Sequence, residues 1–169
     1  NGNSARIETL TLQYPEQRWV LEAPTDLSFE TGVKVGPLAL VGNGQKLSLA
    51  LKTSKNRLDA LVDARSLDLS TLPKAFVPQE SGLKGKLDAH LVLNGSPQAP
   101  NGQLELWLRS GAVHPLRSLE VHAKADLAAG RAKGELQVDS SAGKVSAQFD
   151  VPQHFEDDEK LSFDARLQN

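Results

Sequence analysis

Cysteine is absent from the 169 residues. That excludes a disulfide framework, a thiolate metal site and a cysteine nucleophile. Methionine is absent as well, and the chain opens Asn1-Gly2-Asn3-Ser4 with no signal peptide. The expectation is an excerpt of a longer protein whose targeting and membrane elements lie elsewhere. No apolar run approaches the roughly 18 residues of a membrane-spanning helix. Charge of one sign is also missing: the formal net charge is −2, with Lys and Arg scattered along the chain. A nucleic-acid binder gathers a basic patch to neutralise phosphates, so nucleic acid is not an expected partner. Aromatics are few, at two Trp, one Tyr and five Phe. What remains, 39% hydrophobic and 24% charged residues, is the composition of a folded segment able to bury a core.

The dominant signal is alternation with period two, which places every second side chain on one face of a strand. Leu83, Gly85, Leu87, Ala89, Leu91 and Leu93 share one parity, while Lys84, Lys86, Asp88 and His90 take the other. The pattern resumes at Leu104/Leu106/Leu108, Leu119/Val121/Ala123/Ala125/Leu127, Leu136/Val138, Val145/Ala147/Phe149/Val151 and Leu161/Phe163/Ala165/Leu167. The N-terminal half alternates similarly, as at Leu47/Leu49/Leu51 and Leu58/Ala60/Val62/Ala64. Turn residues separate these runs: Thr31-Gly32, Gly42-Asn43-Gly44, Ser54-Lys55-Asn56, Asn94-Gly95-Ser96-Pro97, Asn101-Gly102, Ala129-Gly130 and Ala142-Gly143. Short strands with such turns predict an all-β antiparallel meander.

One stretch breaks the rhythm. Leu67, Leu69, Leu72 and Phe76, bounded by Pro73 and Pro78, read as a short helix or packed loop over 66–78. The expected organisation is a single repeat-built segment, 1–169, with sub-units 1–65 and 79–169 about that interruption. A linker between two small domains is the alternative.

Leucine occurs 27 times against 12 Val and one Ile. Tightly packed sheets favour β-branched and aromatic residues, whereas a leucine face is more pliable. Pliability suits contact with mobile acyl chains and equally suits an ordinary core. Periodicity assigns residues to one face and does not decide whether that face is open.

No constellation joins a nucleophile, a base and an orienting group, so no catalytic residue and no enzyme activity is expected. Asp88 and His90 supply too few ligands for zinc. His114 and His122 flank a proline-containing corner without an adjacent carboxylate pair. The acidic run from His154 to Lys160 lacks calcium-loop spacing. Ser140-Ser141 lacks a nucleophile elbow. No metal or other cofactor is expected.

Residues Gly85 to Leu106, GKLDAHLVLNGSPQAPNGQLEL, resemble the G-x-L-x-x-x-L-x-L-x-G-S/T-P-x-x-P-x-x-G-x-L-x-L units of the TamB and AsmA-like superfamily of Gram-negative bacteria. Gly102 follows Pro100 after a single residue, one place where the spacing differs slightly. A second unit of that superfamily is similar to Arg18–Leu21, Ala23-Pro24, Leu27–Phe29, Val33–Val35, Leu38–Leu40, Gly44 and Leu47–Leu49. Leu67–Leu72 followed by Gly82–Gly85 resembles its connector. The likeness covers roughly residues 10–110, and periodicity alone extends it.

The resemblance implies a long curled β-sheet, described as a taco, with an apolar concave groove. It also implies a periplasmic location, with a parent protein anchored in the inner membrane, and a part in phospholipid transport and outer-membrane biogenesis. An outer-membrane Omp85-type barrel is an implied partner of that parent. The residues expected to line the groove are Leu87, Leu91 and Leu93, Leu104, Leu106 and Leu108, Val121, Leu136 and Val138, Phe149, Phe163 and Leu167. The partner expected there is the phospholipid acyl chain.

Two other non-catalytic classes stand beside this one. Exposed sheet edges accept strands, so the segment would serve as a chaperone-like scaffold for outer-membrane protein assembly, or pair end to end with another copy. A closed sandwich or barrel acting as an adhesin or sugar binder would want more aromatic platforms than Trp19, Trp107, Tyr14 and five Phe provide.

Overall fold

Two-residue turns set several of the strand ends. In the computed structural model, which describes residues 3–14, 17–71, 82–114, 116–153 and 162–168, the alternating runs become thirteen strands. For residues 14, 116, 117, 167 and 168 the backbone alone is described. The strands are β1 (Ser4–Ile7), β2 (Thr11–Tyr14), β3 (Gln17–Leu21), β4 (Thr25–Ser28), β5 (Val33–Gly42), β6 (Gln45–Ser54), β7 (Arg57–Asp68), β8 (Lys84–Gly95), β9 (Pro100–Val113), β10 (Leu116–Ala128), β11 (Arg131–Ser140), β12 (Gly143–Pro152) and β13 (Ser162–Gln168). Asn43 and Gly44 (φ 50° and 75°) close β5–β6, and Ala129 and Gly130 (φ 51° and 75°) close β10–β11. Positive φ at both central residues matches the twist of a hairpin. Glycine adopts it freely; Ala129 adopts it at a steric cost.

All strands belong to one antiparallel sheet, in the order β1-β4-β5-β6-β7-β8-β9-β10-β11-β12-β13, and the sheet is not closed. The all-β, curled-sheet expectation is what the structure shows. β2 pairs β3, and β3 pairs β5. β1 and β2 are thus two pieces of one edge strand, and β3 and β4 two pieces of the next. The breaks align across the sheet: residues 8–10, residues 22–24 and a register shift between Val35 and Leu38. Pro24 and Pro37 fall on this line. Proline has no N–H to give the ladder. Leu21 N to Leu10 O (2.9 Å) and Glu22 N to Ala39 O (2.8 Å) hold the sheet together across the kink.

A second line of irregularities crosses β7 to β10. Ser66 (φ 53°), Gly85 (φ 131°), Ser110 (φ 51°) and Ser118 (φ 54°) each sit at a register shift in adjacent strands. Bulges bend a strand and increase its twist. Four in neighbouring strands curl one end of the sheet. At the opposite end the residue after β12 folds back: Gln153 N donates to Gly130 O (2.8 Å), and Gln153 Nε2 donates to Pro100 O (3.0 Å).

Two details differ from the sequence reading. Asn101-Gly102 is not a turn; both residues lie in β9, and the connection is 96–99. Proline at a strand's first position is compatible with pairing. The interruption also starts later than 66: β7 bulges at Ser66 but continues to Asp68, followed by a single 3₁₀ turn at Leu69–Thr71. Leu72, Pro73, Phe76 and Pro78 lie outside the described residues. β7 pairs directly with β8, so 1–65 and 79–169 share one sheet.

Candidate functional site

Directly opposed residues of an antiparallel pair point to the same side, so the register assigns faces without further assumption. From β7 to β13 one row reads Val62, Leu91, Leu104, Ala125, Gly134, Phe149, Phe163. The next reads Ala64, Ala89, Leu106, Ala123, Leu136, Ala147, Ala165, and a third reads Leu67, Leu87, Leu108, Val121, Val138, Val145, Leu167. Leu93 lies one row further out, opposite Gly102. The register therefore brings all twelve expected lining residues onto one face. For Leu167 only the backbone position is described, opposite Val145.

The middle row explains the shape of that face. Five of its seven residues are alanine, set between rows that carry larger side chains everywhere except at Ala125 and Gly134. The result is a shallow, alanine-rich row running across the strands, interrupted by Leu106 and Leu136. The row crosses six inter-strand gaps, about 29 Å at the usual strand spacing. Ala64 and Ala147 within it are 5% and 4% exposed.

Most of the buried side chains lie on this face. Six buried apolar side chains, Trp19, Leu40, Ala64, Leu67, Leu119 and Ala147, belong to it. Trp19, Leu40, Ala64 and Leu67 form one cluster, flanked by Leu21, Leu47, Leu87 and Ala89. Gln17 and Gln45, also buried, close its rim: Gln45 Nε2 donates to Gln17 Oε1 (3.0 Å), and Asp68 N donates to Gln45 Oε1 (2.8 Å).

Among the described residues this face is nevertheless not sealed. No described side chain is fully buried, and the lining leucines from Leu87 to Leu108 are half-buried. Phe163 is 68% exposed. The accessible surface of the chain is 11550 Å². A closed globule of 18.2 kDa has about 8,100 Å². The excess of about 40% accords with a single layer of sheet.

The other face is polar and laced across strands. His90 Nδ1 lies 2.7 Å from Asp63 Oδ1, not from Asp88. Asp88 accepts from Ser66 N (2.8 Å) and from Arg109. Arg131 Nε and Lys133 Nζ both reach Asp150, at 2.6 and 3.0 Å. Together they hold its carboxyl below the usual range, the hydrogen bond from Arg131 contributing most.

The densest cluster centres on Glu105. Its Oε1 accepts from Trp107 Nε1 (3.0 Å) and Lys124 Nζ (3.2 Å) and lies 3.1 Å from His122 Nε2. Hydrogen bonds from Trp107, His122 and Lys124, in that order, lower the Glu105 carboxyl to about 2. The Trp107 and His122 rings lie 4.2 Å apart. The sequence offers no carboxylate pair near His122; the pairing of β10 with β9 brings it one carboxylate, Glu105, from 17 residues away.

Among the described residues no group of three or more His, Asp or Glu is arranged to hold a metal. The acidic run 154–160 lies outside them. A depression of about 470 Å³ beside Trp107 and His122 is lined on this face by Arg109, Glu120, Asp139 and Lys144. It is open to solvent. No family model, curated protein or solved structure matches the chain.

Proposed function

We propose that the apolar concave face shelters lipid acyl chains, and that the chain is a periplasmic segment of a TamB/AsmA-like envelope protein that carries phospholipid between inner and outer membranes. The observation that carries the lipid reading is the apolar face, one layer deep, which no other described strand covers and which an alanine-rich row crosses. Exposed apolar patches above a few hundred Å² are a liability unless something occupies them. An acyl chain removes that liability, because each CH₂ taken from water contributes about 0.8 kcal/mol. One leaflet of bilayer hydrocarbon is about 15 Å deep, so a row of about 29 Å has length to spare. Its lining of Leu, Val, Ala and Phe offers no polar anchor, which suits passage along the face better than fixed binding. The family assignment and the location rest on the repeat-like residues 85–106 and the N-terminal unit.

The test is native mass spectrometry of the chain purified from cells, with lipid extraction alongside. Phospholipid should co-purify, and Leu106→Asp, folded by circular dichroism, should lose it. A folded wild-type chain free of lipid, and unable to take it up from vesicles, would refute the proposal.

A further inference from the structure

We infer that Trp107 is the platform of a carbohydrate site on the polar face, one that takes a neutral, gluco-configured oligosaccharide. Tryptophan is a large apolar residue to leave in water. Trp107 is 44% exposed, on the face opposite the leucines of β9. Its ring is nevertheless fixed. Nε1 donates to Glu105 Oε1 at 3.0 Å, and the His122 ring lies 4.2 Å away, tilted by 47°. A side chain already held in place loses little further freedom when a ligand settles on it.

The register shows what surrounds the ring. Asp88, Trp107, His122, Gln137 and Ser146 stand level across β8 to β12, a row of about 19 Å at the usual strand spacing. The depression of about 470 Å³ beside Trp107 is floored by the backbone of Leu108, Val121, Val138 and Val145, whose side chains point to the other face. Glu120, Gln137 and Ser146 border it and are exposed. Among the described residues none of the three has a side-chain hydrogen-bond partner. A second depression, of about 410 Å³, is bordered by Asp63, Arg65 and His90. Among the described residues Trp107 alone lines both.

These features select a class of ligand. The face of an indole is electron-rich and attracts weakly positive C–H bonds. A gluco-configured pyranose carries its ring substituents equatorially and so presents such C–H bonds on both flat faces. Its hydroxyls donate and accept, which suits a carboxylate, an amide and a hydroxyl at the rim. Charge argues against an ionic ligand. The charged residues around the first depression are two of each sign, Arg109 and Lys144 against Glu120 and Asp139. Lys144 is already paired with Asp139 at 2.5 Å, and Arg109 with Asp88. A depression on each side of one platform suits a chain of rings better than a single ring. The site lies on the face opposite Leu106 and Leu136, so it stands independently of the lipid reading.

The test is a titration of the isotope-labelled chain with cellohexaose and with chitohexaose, followed by nuclear magnetic resonance. One exposed platform gives weak binding, with Kd about 1 mM, so the titration runs to about 10 mM. The Trp107 indole N–H should shift and saturate with at least one of the two sugars. The indole of Trp19, which is buried, should stay in place and serves as the control. Affinity in the variants is read from the backbone amides of His122 and Gln137. Trp107→Ala should weaken binding about tenfold or more, Trp107→Phe less, and Gln137→Ala about threefold, each variant folded by circular dichroism. A Trp107 indole indifferent to both sugars overturns the inference. So do shifts of equal size at both indoles, or binding as tight in either folded alanine variant as in the wild type.

Discussion

Asp88 holds the bulge at Ser66 in place: its Oδ1 accepts the Ser66 backbone N–H at 2.8 Å, from the neighbouring strand. A bulge leaves one residue outside the regular ladder, and this half-buried N–H is satisfied by a side chain instead. Arg109 binds the other carboxylate oxygen, but its side chain is 56% exposed, and an exposed ion pair contributes little. Asp88→Ala should therefore cost about 1–3 kcal/mol in urea denaturation. Asp88→Asn keeps an acceptor for Ser66 and should cost less than half as much. Equal losses would place the importance of Asp88 in its charge.

Ser110 sits at φ 51° with its side chain exposed, so substitutions there report backbone preference more than packing. Ser110→Val should destabilise by about 1–2 kcal/mol, because a β-branched residue is strained at positive φ. Ser110→Gly should fall within about 0.5 kcal/mol of wild type, relief of strain offsetting the added freedom of the unfolded chain. If valine were tolerated as well as glycine in thermal melts, the bulge would not be fixed at this residue.

Gly134 lies opposite Phe149 on the apolar face. A Cβ at 134 would come within 2.1 Å of Lys124 O and 2.6 Å of Phe149 Cζ. Gly134→Ala should cost about 1–3 kcal/mol, the range for forcing extra volume into packed structure. The closer clash is with backbone, so most of that cost should persist in a Phe149→Ala background. Complete rescue there would mean the ring alone sets the restriction.

Glu105 supplies the acid-sensitive contact. Its carboxyl is lowered to about 2 from an ordinary 4.5, so folding favours the charged form. That contribution is fully present above the ordinary value and is lost as pH falls through the lowered one. The side chain is 40% exposed, and solvent screening keeps the effect small. The melting-temperature difference between wild type and Glu105→Gln should be constant from pH 6 to 7 and shrink steadily from about pH 4.5 to 2. A difference that persists at pH 2 would assign it to packing of Trp107 and His122.

The strands and the apolar face were legible because alternation survives along the regular stretches of each strand: Leu87, Leu91 and Leu93 share a parity, as do Leu104, Leu106 and Leu108. The bulges left a trace too. Apolar parity changes from even at Ala60, Val62 and Ala64 to odd at Leu67 and Leu69, and from odd at Val33 and Val35 to even at Leu38 and Leu40. Each change marks a register shift. That serine, not glycine, occupies the positive-φ sites at 66, 110 and 118 has no such trace, since serine is ordinary in strand surroundings. The alanine-rich row and the Glu105 cluster were not readable, because each depends on which residues of different strands come level. Alternation fixes the face of a residue; only the pairing register fixes its neighbours across the sheet.

Leu106 and Trp107 are adjacent in sequence and on opposite faces of β9, which allows a direct test of an acyl-chain path. A photoreactive phenylalanine analogue would be placed at 106 or at 107, and the folded chain irradiated in cells or with phospholipid vesicles. Covalent lipid adducts are expected at 106, repeated at 136 and absent at 107 and 137. Adducts at equal yield on both faces, or at neither, would contradict the proposal that the concave face carries lipid.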